Sequence, residues 1–106
     1  MRADQIEAEF AALRVAYAGG LLLLEAPNAV ALIRRAAEER VAVLGVNCLL
    51  LTEHETREPI DQIADYSSAV RNGHGCWEDA VRHVANRVAG GYVFEVVLDD
   101  APERAP

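Results

Sequence analysis

Val41-Ala-Val-Leu-Gly-Val-Asn-Cys-Leu-Leu-Leu51 is the stretch whose reading decides the fold. It is almost continuously apolar, and it is about half the ~20 residues a bilayer-spanning helix needs. A strand with this pattern is covered on both faces, so the rest of the chain has to supply the covering layers. Gly45 inside it marks a bulge or the close approach of another backbone. Cys48 falls in the same apolar run and reads as a buried, inert core thiol.

Upstream, Pro27 and Asn28 open a helix: proline suits the first turn and asparagine is a good N-cap. Val30, Ile33 and Ala37 form its inner stripe, while Arg34 with Glu38 and Arg35 with Glu39 are spaced to pair on its outer side. Leu21–Leu24 is long enough for a short buried strand, although leucine also favours helix. Before it, Asp4 and Glu7 give a capping-box-like start to a first helix. Its stripe is Ile6, Phe10, Leu13 and Tyr17, and Gly19-Gly20 supplies its left-handed end.

Downstream, Thr52–Glu58 reads as a polar turn. Ile60–Tyr66 fits a short helix or a returning antiparallel strand, and Ser67–Gly75 a loop with one helical turn, which the serines cap. A last helix covers Cys76–Ala89 with the stripe Trp77, Val81, Val84 and Val88, and Gly90-Gly91 ends it. Tyr92–Leu98 is a closing strand, and Asp99–Pro106 a flexible acidic tail. Strands alternating with helices predict an α/β fold with parallel neighbours and right-handed crossovers, α+β remaining open. The expected form is a single domain over residues 1–98, with one three- to four-stranded sheet packed by three helices.

The chain has 106 residues, 52% hydrophobic and 25% charged, which excludes a wholly disordered polypeptide and allows one core without metal or disulfide staples. Net charge is −7, and all ten basic residues are arginine. That balance argues against phosphate-backbone and anionic-membrane partners. The start of the chain lacks the charged-then-apolar order of a signal peptide, and two cysteines 28 positions apart make no disulfide framework. The expected setting is a bacterial cytoplasm with both thiols reduced.

Charge is concentrated in residues 53–65, where Glu53, Glu55, Glu58, Asp61 and Asp65 face only Arg57. Such a patch steers a basic protein partner, and Tyr66 at its margin offers an apolar body with a polar tip. These six residues are the candidate binding surface. A homo-oligomer paired through an edge strand is a further reading.

His74, Cys76 and His83 invite two other readings. A metal site needs three or four converging ligands, commonly in paired short spacings, and one His-x-Cys pair does not meet that requirement. A helix start favours thiolate, so Cys76 is expected to be the accessible, more reactive thiol, with His74 or His83 as a base in a small enzyme or ligand-binding domain. No oxyanion-hole glycine pattern accompanies them, and neither double glycine matches a phosphate loop, so no catalytic residue, metal or cofactor is expected.

Val43-Leu44-Gly45-Val46, the stretch from Pro59 through Ile63-Ala64-Asp65-Tyr66-Ser67, Trp77, and Phe94–Leu98 resemble small immunity proteins of bacterial polymorphic toxin systems, in particular the immunity protein 40 family. The resemblance covers about residues 29–98 and carries over no individual functional residue. It implies a cytoplasmic, non-enzymatic protein that binds and blocks a toxin domain.

Overall fold

A computed structural model describes residues 3–14, 22–51, 56–57, 63–87 and 92–99. In chain order the elements are α1 (Ala3–Phe10), a 3-10 turn (Ala11–Leu13), α2 (Ala26–Glu38), β1 (Val43–Leu51), β2 (Thr56–Arg57), β3 (Ile63–Asp65), α3 (Ser67–Arg71), α4 (Trp77–Ala85) and β4 (Tyr92–Leu98). Tyr17, Gly19-Gly20, Leu21, the turn at 52–55, Val88, Gly90-Gly91 and the tail from 100 lie outside the described residues.

β1 is the central strand of a four-stranded sheet, with β4 on one side and β2 and β3 on the other. Every pairing is antiparallel, which corrects the expected parallel neighbours. The reason is that Ile63–Asp65 is a returning strand and not a helix. β2 and β3 run back along β1, and the helices α3 and α4 then carry the chain across to β4. β3 and β4 therefore point the same way with β1 between them, so the expected strand–helix–strand unit exists in split form. The four-leucine run contributes one antiparallel bridge, Leu24 to Phe94, closed by hydrogen bonds of 2.9 and 2.8 Å.

The core lies between one face of the sheet and the helices. Val43, Val46 and Cys48 from β1 and Phe94, Val96 and Leu98 from β4 meet Ile33, Ala36, Ala80 and Val84. The buried stripe of α2 is Ala26, Ala29, Leu32, Ile33 and Ala36, so of the expected Val30, Ile33 and Ala37 only Ile33 is fully buried. α4 likewise buries Ala80 and Val84, with Trp77 and Val81 at the margin. Where α2 and α4 pack together, small alanines let the helices approach closely.

Asn28 lies inside α2, whose N-cap is the extended Glu25, with Pro27 in the first turn. The end of α2 is a Schellman turn: Val41 N–H donates to Ala36 O at 2.9 Å, Arg40 N–H donates to Ala37 O at 3.2 Å, and Arg40 takes a left-handed φ of 58°. α3 ends in the same motif with Gly73, at φ 92°, in the left-handed position. Arg35 joins α1 to α2, meeting Glu9 at 2.9 Å and, within its own helix end, Glu38 at 3.2 Å and the expected Glu39 at 2.7 Å. These contacts pull the Glu9 carboxyl below its ordinary range.

Trp77 fastens the start of α4 to the start of β1. Its indole N–H donates to Val41 O at 2.8 Å, and Val43 N–H donates to Gly75 O at 2.9 Å. The ring lies so close over Gly75 that a Cβ there would sit 2.3 Å from it. No helix among the described residues is long and apolar enough to cross a membrane.

Candidate functional site

The second face of the sheet differs from the first. Antiparallel register aligns Asp65, Gly45 and Val97 in one row across β3, β1 and β4, and Ile63, Asn47 and Glu95 in the next. The rows carry polar groups in the middle of otherwise apolar strands. Asn47 Nδ2 donates to Glu95 Oε1 at 2.9 Å, which ties the two half-exposed side chains together across the strands.

Gly45 shapes this face in the two ways its position suggested. The β1–β4 register shifts between Val43 and Gly45, which is a bulge, and the Ala64 carbonyl oxygen lies 2.7 Å from where a Cβ would stand. Without a side chain at the centre of its row, an open depression of about 240 Å³ forms. Leu44, Ala64 and Val97 give it apolar walls, and Asn47, Asp65 and Ser67 a polar rim.

Of the expected surface, Asp65 and Tyr66 belong to the described residues, whereas Glu53, Glu55, Glu58 and Asp61 lie outside them. Asp65 is exposed, and its Oδ1 accepts the Ser67 N–H at 2.9 Å. That hydrogen bond to the charged form holds its carboxyl below the ordinary range. Asp65 thus performs the capping expected of the serines, and Ser67 is the first residue of α3. Tyr66 is half-buried and packs against the core, its N–H donates to Leu44 O at 2.7 Å, and burial pushes its phenol up. Its position joins the edge of the sheet to the helical layer.

Cys76 does not have the environment expected of a reactive thiol. It caps α4 in a left-handed conformation with φ 64°, and its side chain is buried. Burial and the nearby Asp79 push the thiol up, against the helix-end effect. Its Sγ–H faces the His74 backbone carbonyl at 3.8 Å, while the His74 residue is exposed. Cys48 is fully buried, as expected, and burial pushes it up to about 11. Among the described residues, no three His, Cys, Asp or Glu side chains converge on a point that could hold a metal.

Asn47, Glu95 and Val97 were not among the expected site residues. The available signal was a single polar residue inside each of two apolar strands, at positions that a shared register brings opposite one another. Reading it required the pairing of β1 with β4, which composition does not specify. No protein-family model matches the chain, and no curated protein is significantly similar to it.

Proposed function

We propose that the chain is a non-enzymatic protein-binding domain of the bacterial cytoplasm whose acidic β2–β3 margin meets a basic protein partner. In the sense that the immunity-type resemblance implies, the partner is a toxin domain and binding blocks it. The observation that carries this reading is the pairing of both β2 and β3 along one side of β1. Asp65 stands at the end of β3 on this side of the sheet, and Glu53, Glu55, Glu58 and Asp61 adjoin it in sequence. Arg35 spends its charge on carboxylates of the helical layer. A concentration of like charge at one margin speeds encounter with an oppositely charged surface.

The alternative, an enzyme built on Cys76, His74 and His83, has less support. The thiol is buried and held in its neutral form, and its hydrogen-bond acceptor is a backbone carbonyl. A homo-oligomer joined through the same margin would bring two negative segments together.

The test is affinity capture with two immobilised chains, wild type and a variant carrying E53Q, E55Q, E58Q, D61N and D65N. A basic protein retained by wild type, released by salt and not retained by the variant is the expected result. Equal retention by the two chains would show that the acids are only a solvated surface.

A further inference from the structure

We infer that the depression over Gly45 receives one cationic side chain of the partner, an arginine, as the anchor of the interface; this rests on the binding reading above. The walls and rim of the depression ask for two different things. Leu44 and Val97 are apolar, and they suit an aliphatic stem laid across the row that Gly45 leaves empty. The rim is a set of acceptors. The Asp65 carboxylate accepts from both the backbone N–H and the hydroxyl of Ser67 and keeps lone pairs for a further donor, and Asn47 keeps its side-chain oxygen because its amide nitrogen donates to Glu95. Glu95 adds a further carboxylate in the adjoining row.

An apolar stem with a donor-only head answers both demands, and only lysine and arginine combine them. Arginine fits better than lysine because the acceptors come from separate strands. A planar fork with five N–H donors can reach Asp65 on β3 and Asn47 on β1 at once, whereas an ammonium acts as a compact point charge. The depressed carboxyl of Asp65 is consistent with a group that stays ionised wherever such a partner would meet it.

The experiment is an NMR titration of the ¹⁵N-labelled full chain at low ionic strength with N-acetyl-arginine N-methylamide. Its uncharged citrulline counterpart serves as the control. The arginine probe is expected to shift the amides of Gly45, Asn47, Asp65 and Val97 saturably, and the citrulline probe to leave them unmoved. Asp65→Asn keeps an oxygen for the Ser67 N–H, so this variant should stay folded and melt only slightly below wild type near neutral pH, while binding the arginine probe roughly five-fold more weakly. Equal shifts with both probes, undiminished binding by Asp65→Asn, or shifts confined to other carboxylates would overturn the assignment. In the capture experiment, a basic partner kept by Asp65→Asn but lost by the five-acid variant would also overturn it and leave the binding reading standing. Saturable shifts in a chain that captures no basic protein would support the depression and sink the binding reading instead.

Discussion

β1 meets the rest of the molecule through two unlike faces. On the helical side Val43, Val46 and Cys48 are fully buried against α2, α4 and the β4 residues Phe94, Val96 and Leu98. On the other side the same strand places a buried Gly45 beside the half-exposed Val97 and a half-exposed Asn47 hydrogen-bonded to Glu95, with a depression where a side chain is missing, while Leu49 and Val93 further along are buried. Side chains alternate between faces from Gly45 onward, and the bulge between Val43 and Gly45 puts Val43 on the same face as Val46 and Cys48. The buried face holds the molecule together through area removed from water, which tolerates little change. The other face carries polar groups and space, and its half-exposed side chains can be altered at lower cost than those of the core.

If this division is right, truncations on the two faces of β4 should differ widely, beyond what side-chain size explains. Phe94→Ala is expected to cost about 3–5 kcal/mol in denaturant unfolding, because it empties a fully buried site, whereas Val97→Ala should cost no more than about 1 kcal/mol. Similar losses at both positions would erase the distinction between the faces.

Gly45→Ala sharpens the same point from within β1. The added methyl meets the Ala64 carbonyl oxygen, so β1 and β3 must separate, at an expected cost of about 1–3 kcal/mol in chemical unfolding. The loss should come with shifted amide resonances at Ala64 and Asp65, and an unperturbed β3 would show that the approach is not tight. Away from the sheet, Arg40→Gly should raise stability by about 1 kcal/mol, because glycine takes the left-handed position of the α2 Schellman turn without a Cβ clash. A lower melting temperature would mean that the arginine side chain contributes more than its backbone conformation costs.

The smallest effect concerns pH. Glu9, on the helical side, has its carboxyl lowered by Arg35, so its contribution is present above the ordinary value of 4.5 and is lost as pH falls through the lowered one. Asp65, on the open face, carries the same sign through its bond to Ser67 N–H. Melting temperatures should therefore fall less steeply than wild type below about pH 4.5 for Glu9→Gln and below about pH 3.8 for Asp65→Asn. Parallel curves for all three proteins would remove both contributions.

Much of this was legible from residues alone, though unevenly. Tyr92–Leu98 forms the closing strand over its full expected length, and the decisive apolar run yields β1 from Val43 to Leu51. Gly45 does what an interior glycine signals, because a missing Cβ has few uses in a strand. The helix faces were harder to read, since alanine at 29, 36 and 80 buries completely while the larger Val30 sits at the margin. Size ranks hydrophobicity, but close helix packing selects for small residues. Strand direction was hidden for another reason: Ile63–Asp65 is too short for its period to separate helix from strand, and its identity sets the direction of everything after it. Cys76 was misread because a position at a helix start says nothing about burial, which here outweighs the helix end.

The proposed recognition surface is the acidic margin and the sheet face beside it. Its most direct test is the association rate of the captured basic partner, followed by stopped flow against ionic strength for wild type and for the five-acid variant. Exposed charges contribute only about 0–1 kcal/mol each, so the variant should melt close to wild type and the comparison reports on encounter alone. The expected result is a fast wild-type rate that falls steeply as salt screens the charges over roughly 8–10 Å, and a slower variant rate with a shallow salt slope. Equal rates and equal slopes for the two proteins would contradict it.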